Sequence, residues 1–554
     1  MPGKSLAIDT ESRGFFALLA LVALLFAWTA MAPCLQNGFT NWDETQYIIY
    51  NPKIKSLTPA SVRAIFASRD LKMYSPLSTL SYAVNYHFSG LAPKAYHATA
   101  IALHLANTLL AMCLVRLLLP GAWPAFLCGL FFGLHPAHVE SVAWAAERKD
   151  LLYSFFYLLS LCAYTLSLKG RKTYLAAFGL FVCSLLSKPM AVTLPLALLL
   201  IDYLELETVG RRQWLNKLPF FAAAALFTAV TLQPAETASW APVARRLCMA
   251  LYNPAFYVYT LAWPFNLSAV YAHPVAGTGS IYALAAATLA AAGLLWKYCR
   301  RDKTIMFGAG LYLAMLLPVL QFFPFGPVIS ADRYTYLASL GFFIALAKPG
   351  AAAWQRTGAA GHRALVIFIL LAAVTLTVAA RVRCTVWKDG ISLWSDTLRK
   401  QPAAGLALAN LCAEYVNAGM ETRAAACLSE AIRQYPEKED SYYNLGLLLY
   451  KKGNLAQAQH YCERALRING RNAKALFILG NIALFKGETG LAQRLYLRSA
   501  ECDGTYVSPL RQLGDMAGAR KDKGKALEYY ERALALEPAD PYTLERAAAL
   551  RRRQ

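Results

Sequence analysis

Charge is scarce in this sequence: 16% of its 554 residues are Asp, Glu, Lys or Arg, against 57% hydrophobic. Soluble globular chains carry about 25% charge, so that class is excluded for most of the length. Cysteine motifs are missing too. None of the twelve cysteines forms a CxxC pair, and none is spaced with histidine for zinc. Cys113, Cys128, Cys162 and Cys183 lie inside apolar runs as small core residues, and Cys412, Cys427, Cys462 and Cys502 fall on helices near the C-terminus. Neither a disulfide framework nor a metal site is expected. No basic patch interleaved with aromatics occurs, so the formal charge of +22 does not imply a nucleic-acid partner. The basic residues gather instead in short clusters between apolar runs, as cytoplasmic loops of membrane proteins require.

Long apolar runs are what the sequence has in quantity. They cover about 15–33, 97–119, 123–141, 151–168, 173–187, 190–204, 218–233, 281–297, 304–320, 334–348 and 364–381, which predicts an all-α polytopic bundle of about eleven spans. The first run follows a leader carrying Asp9 and Glu11 and is longer than a signal-peptide core, so a retained span is expected after a cytoplasmic N-terminus at 1–14. Eleven spans place Lys169/Arg171/Lys172, Arg211/Arg212/Lys217, Lys297/Arg300/Arg301/Lys303 and Arg356/Arg363 together in the cytoplasm. Counting 247–263 as a further span breaks that agreement, so this stretch is expected to re-enter or lie at the interface. Three polar loops, 34–96, 135–150 and 321–333, then share the non-cytoplasmic face with everything after 383.

Past a linker helix at 384–403 the composition changes. Gly446, Gly480 and Gly514 recur every 34 residues, as do Ala424, Ala458, Ala492 and Ala526. Ala431, Ala465 and Ala533 keep the same register, with Ser499 in the third unit. Small residues at this period let paired antiparallel helices approach, the pattern of tetratricopeptide repeats. About four repeats and a polar capping helix are expected over 404–554, an α-solenoid suited to binding peptides or partners.

Chemistry-bearing residues concentrate in the three loops. Asp43 and Glu44 follow the first span; they are either a cap or solvated pair, or functional carboxylates facing a cavity. The second loop, HPAHVESVAWAAERKD, holds His135, His138, Glu140, Arg148, Lys149 and Asp150. Its HxxH lacks a third ligand, so the two histidines are either ligands or interfacial groups. Arg148, Lys149 and the span-interrupting Lys188 either snorkel or grip an anionic head group. Asp332 and Arg333, followed by Tyr334, either pair with each other or place a cation on phosphate.

The strings NGFTNWDE, YSPLSTLSYAVNYHFSGLAPKAYHATAIALHLANTLL, LHPAHVESVAWAAERKDLL, LLSKPMAVTLPLALLLIDYL and SADRYTYLASLGFF, followed by the repeats, resemble the transmembrane-and-tetratricopeptide-repeat protein O-mannosyltransferases and their bacterial relatives, within the GT-C glycosyltransferases. The resemblance covers nearly the whole order of parts and is vaguest over 205–320. It implies a GT-C-like domain over 15–383 that moves a mannose-like hexose from a polyprenyl- or dolichyl-phosphate carrier to an acceptor outside the cytoplasm. The acceptor it implies is a protein Ser/Thr hydroxyl presented by the repeats. It further implies Asp43 as catalytic base with Glu44 in support, and donor-phosphate contacts from Arg148, Lys149, Lys188 and Arg333. His135, His138, Glu140, Asp150, Asp332 and Tyr334 would line the pocket. Some members of the superfamily use a divalent metal; no ligand set is visible here, and no cofactor is expected. The implied setting is a bacterial inner membrane with periplasmic repeats, or an endoplasmic-reticulum membrane with luminal repeats. A lipid-linked glycan or envelope polymer as acceptor, and a non-catalytic scaffold, are the rival readings.

Overall fold

The computed structural model describes residues 13–70, 73–206, 210–231, 243–271, 279–320, 330–537 and 540–552. Two compact units divide the chain, Met1–Pro402 and Ala403–Gln554. Among the described residues every named element is helical.

In the first unit, α1 (Arg13–Met31), α2 (Pro59–Ala67), α3 (Pro76–Ser89), α4 (Pro93–Leu118), α5 (Ala122–Leu134), α6 (Val139–Ala143), α7 (Arg148–Leu168), α8 (Tyr174–Ser187) and α9 (Leu194–Glu205) come first. They are followed by α10 (Arg211–Leu215), α11 (Leu218–Thr231), α12 (Val243–Ala262), α13 (Gly279–Cys299), α14 (Lys303–Leu316), α15 (Thr335–Arg356), α16 (Ala359–Val386) and α17 (Gly390–Lys400). Each of the eleven apolar runs overlaps a helix. Seven segments, Arg13–Gln36, Pro93–Leu118, Ala145–Leu168, Arg211–Thr231, Tyr282–Cys299, Asp332–Arg356 and Ala359–Val386, are long and apolar enough to cross a bilayer.

Side-chain placement on α1 is the reverse of a soluble helix. Its small residues Ala20, Ala23, Ala27 and Ala30 are buried, while Leu18, Leu21, Leu25 and Trp28 are exposed. On α16, Phe368, Leu371, Val374 and Val378 are likewise exposed. Small inward and large outward is how helices pack when lipid, not water, bathes the outside. The closest packing joins α14 to α15. A Cβ on Gly308 would stand 2.6 Å from the Gly341 carbonyl oxygen, and one on Gly341 equally close to that of Gly308, so two backbones meet where no side chain fits.

The two ends of the bundle are chemically distinct. At one end Lys169 reaches Glu205 at 3.7 Å, Lys303 donates to the Leu206 carbonyl, and Lys348 pairs with Asp302 at 2.5 Å. There too a fully buried Lys217 contacts Asp202 and the Tyr164 hydroxyl. Basic residues far apart in sequence thus gather at one end of the bundle. All of the stretch 247–263 but its last residue lies within α12, a continuous helix containing Pro254, whose carbonyl accepts from Tyr312 Oη at 2.6 Å. Most of loop 34–96 is helical. Thr58 caps α2, accepting from Ser61 N–H, and Pro59, Pro76 and Pro93 open α2, α3 and α4, where proline's missing N–H has no cost. Of the loop 321–333, residues 321–329 lie outside the described residues.

The second unit pairs α18 (Gly405–Asn417) with α19 (Glu421–Gln434), α20 (Glu439–Lys451) with α21 (Leu455–Ile468), α22 (Ala473–Phe485) with α23 (Thr489–Cys502), and α24 (Val507–Ala519) with α25 (Lys523–Leu536). A last helix, α26 (Pro541–Arg551), follows. The 34-residue glycines sit where helices touch: a Cβ on Gly446 would lie 2.6 Å from Cys462 Sγ, and one on Gly480 or Gly514 2.5 Å from the Tyr496 or Tyr530 ring. Ser499, the exception among the alanines, satisfies its hydroxyl on the Ala473 carbonyl at 2.6 Å.

One expectation is overturned here. Cys412 and Cys427 form a disulfide, with Cα atoms 5.4 Å apart. The two residues lie on α18 and α19, and the antiparallel register of that hairpin brings positions 15 apart face to face. Placing each cysteine on its own helix left that register out.

Candidate functional site

The site is built at the end of the bundle opposite the basic clusters. The first loop turns at Asn41, whose φ of 54° is a left-handed conformation that Asn tolerates better than most residues. The turn is closed by Glu44. Its buried carboxylate accepts from Thr40 Oγ1 at 3.0 Å on both oxygens and from Trp42 N–H at 3.2 Å. Burial raises the Glu44 pKa above its ordinary value, against the lowering effect of these bonds. Trp42 then stacks on Trp144 of the second loop, ring centroids 4.3 Å apart, and meets Trp394 of α17 edge-on at 4.8 Å. This aromatic stack locks the two loops together.

Asp43 stands between them. Among the described residues its carboxylate makes no hydrogen bond or ion pair. Burial raises its pKa; Lys149 and Arg333 draw it down and Glu147 pushes it up. An acidic group without a fixed partner, beside two cations, is the arrangement a general base or an anion-recognition site needs.

The cations differ in how far they are committed. Lys188 is buried between Glu147 at 2.6 Å and Asp150 at 2.5 Å. Burial acts to lower its pKa, but those carboxylates outweigh that effect and hold it above its ordinary value. Asp150 also accepts from Ser141 Oγ at 3.4 Å. Lys149 is 3.4 Å from Glu147 and lies over the Tyr47 ring at 4.3 Å. Arg333 pairs with the buried Glu140 through Nη1 and its own backbone N–H, and its guanidinium lies over Trp144 at 5.4 Å and Tyr334 at 5.0 Å. Burial raises the Glu140 pKa, and Arg333 partly offsets this. Asp332 accepts from Tyr271 Oη at 2.5 Å and lies 3.8 Å from Arg383 Nη2.

Arg148 turns the other way. It is fully buried against Tyr82 and Tyr96, 4.8 and 5.3 Å from their rings, and donates to the Ser81 and Tyr96 carbonyls. It ties α7 to α3 and α4 rather than facing Asp43. The histidines are also engaged in packing. His135 Nε2 donates to the Leu261 carbonyl at 3.0 Å while Nδ1 accepts from Ala137 N–H. His138 Nδ1 donates to the Phe132 carbonyl at 2.8 Å and Nε2 meets Ser339 Oγ at 3.0 Å. Burial pushes the His135 pKa down to about 4 and the His138 pKa well below its ordinary value. Both rings are therefore neutral with both nitrogens occupied, and they brace α5, α12 and α15.

Asp43, Lys149, Lys188, Glu140, Asp150, Asp332, Arg333 and Tyr334 are thus brought into one cluster, with Glu44 beneath it. Arg148, His135 and His138 lie in the surrounding packing. Residue-type reasoning missed Trp42, Trp144, Tyr47 and Tyr271. The Trp of NWDE, directly before the acidic pair, was the available signal.

The fold and site define a helical membrane-type protein with appended tetratricopeptide repeats. The tetratricopeptide repeat models match residues 439–472 and 512–540. Human "Protein O-mannosyl-transferase TMTC2" is 37% identical over 129 residues, 22% of this chain and 15% of that protein. Drosophila melanogaster "Protein O-mannosyl-transferase Tmtc1" is 35% identical over 141 residues, 25% of this chain and 16% of that protein. Caenorhabditis elegans "Protein O-mannosyl-transferase F38B6.6" is 30% identical over 206 residues, 35% of this chain and 29% of that protein. The match therefore spans less than a third of these relatives' length. Among solved structures, a thermophilic TPR protein in Thermus thermophilus is 21% identical, covering 32% of this chain and 94% of its own, with a TM-score of 0.27. The chain is similar to the protein O-mannosyl-transferases, as its loop motifs indicate, and it carries tetratricopeptide repeats.

Proposed function

We propose that this protein is a membrane glycosyltransferase that moves a mannose-like hexose from a polyprenyl- or dolichyl-phosphate carrier to a protein hydroxyl on the non-cytoplasmic face. The observation that carries the proposal is the contrast between Asp43 and its neighbours. Glu44, Glu140, Glu147, Asp150 and Asp332 each hold a side-chain partner, while Asp43 is left to act. The names of the similar proteins support protein as acceptor class.

In this reaction the acceptor oxygen attacks the anomeric carbon as the bond from that carbon to the carrier phosphate breaks, inverting the centre. Asp43 takes the acceptor proton, and the departing phosphate keeps the bond's electron pair. Lys149 and Arg333 face the developing negative charge, which is where fixed positive charge accelerates the step. Lys188, saturated by Glu147 and Asp150, positions Glu147 and through it Lys149. Arg148 holds α7 so that the adjacent Lys149 points inward. The disulfide Cys412–Cys427 suits an oxidising compartment and so supports repeats outside the cytoplasm. In a bacterium that compartment is the periplasm.

The test is reconstitution of the full chain in liposomes with a lipid-phosphate mannose and a Ser/Thr-rich protein acceptor. Intact-mass analysis is expected to find hexose on the protein. Label passing only to lipid or glycan would overturn the acceptor class, and no transfer from any lipid-phosphate hexose would overturn the enzyme reading.

A further inference from the structure

A cavity of about 560 Å³ runs along the outside of α16 to the C-terminal half of α17. Its long wall is apolar. Val374, Val378 and Val382 follow one another at four-residue intervals on α16, all exposed, and Phe265 stands opposite. At 1.5 Å per residue this stripe is about 12 Å long. Its head is basic: Arg383, Arg399 and Lys400 all converge on the one carboxylate of Asp396, at 3.0, 2.5 and 2.8 Å. Three cations on one carboxylate leave surplus positive charge.

Arg383 makes this more than a surface cluster. Its side chain is 5% exposed, and its Nε and Nη2 make no hydrogen bond; Nη2 only approaches Asp332 at 3.8 Å. A buried guanidinium so incompletely matched biases the groove toward an anion. Arg399, by contrast, is largely exposed and able to swing onto one. An apolar track leading into such a head, at the end of an apolar helix, has the shape of a lipid: chain on α16, phosphate beside Arg383 and Arg399.

We infer that this groove binds an anionic phospholipid of the surrounding membrane. The inference does not depend on the transfer reaction. Its cations belong to the Asp396 network, whereas the donor phosphate is placed at Lys149. The two meet only where Arg383 faces Asp332, so an occupied groove bears on the residue next to Arg333.

Native mass spectrometry of the full chain, titrated separately with phosphatidylglycerol, phosphatidylcholine and undecaprenyl phosphate, tests this. Phosphatidylglycerol is expected to occupy one site more tightly than phosphatidylcholine. Arg399→Gln is expected to weaken it about fivefold, the effect of one interfacial cation, and Val378→Trp to abolish it by filling the track. Both changes are at exposed side chains, so the fold is kept. Equal retention of the two phospholipids, or wild-type retention by both variants, would overturn the inference. So would one-for-one displacement by tighter-binding undecaprenyl phosphate, which would make the groove a carrier track.

Discussion

Replacing Asp43 by Asn separates catalysis from stability at one position. The side chains are nearly isosteric, so the turn at Asn41 and the Glu44 bonds are untouched. Removing a general base costs about 10²- to 10⁴-fold in rate, and kcat/KM should fall by that factor. Stability should move in the opposite direction. Burial raises the Asp43 pKa in the folded protein, so the folded state favours its protonated form. That contribution is present at low pH and lost as pH rises through the folded-state pKa. At neutral pH the ionised group therefore opposes folding, and the neutral amide is expected to be at least as stable as wild type, a gain on the order of 1 kcal/mol being usual at functional sites. The pH profile gives a further check. As Asp43 must be ionised to accept a proton, the acidic limb of kcat/KM should lie above the ordinary Asp value of about 3.9. The assays are hexose transfer in liposomes across pH and thermal denaturation in detergent. Wild-type kcat/KM in Asp43→Asn, or lost activity together with a clearly lowered Tm, would remove Asp43 from the role of base.

Glu44→Gln should behave differently, since an amide nitrogen would face the Thr40 and Trp42 donors; a loss of about 1–3 kcal/mol should appear in Tm and carry activity down with it. Gly341→Ala should destabilise the first unit by about 1–3 kcal/mol, because the new Cβ meets the immovable Gly308 carbonyl, and limited proteolysis should report it. Lys521 has a φ of 61° where the equivalent turns use Gly419, Gly453 and Gly487. Lys521→Gly should raise stability by up to about 1 kcal/mol, relief of strain being partly offset by glycine's freedom when unfolded, as a chemical-denaturation midpoint would register. Peptide mapping without reductant should recover Cys412 linked to Cys427, and Cys412→Ser should cost about 3 kcal/mol for a loop of that length.

Much of this architecture is written in local patterns. The apolar runs locate the bundle helices because lipid-facing and buried faces are both apolar. The 34-residue spacing locates the repeats because each close approach needs a small residue. The site was only partly legible for the opposite reason. Adjacent residues on a helix point about 100° apart, so Arg148 and Lys149 diverge into different surroundings although they read as one basic pair. Asp43 and Glu44 read as one acidic pair, yet Thr40 and the backbone at Asn41 make one a fixed support and leave the other open. Lys188 joins the cluster from a distant break between helices. The Cys412–Cys427 bond depends on hairpin register, which no single helix encodes.

Central to the proposed reaction is a lipid phosphate held opposite Asp43. The direct measurement is a cryo-EM structure of the full chain with a polyprenyl phosphate. Phosphate density is expected within hydrogen-bond reach, about 3.2 Å, of Lys149 or Arg333, with Asp43 open on the other side. Phosphate seated beside Arg383 and Arg399 alone, walled off from Asp43, would contradict it.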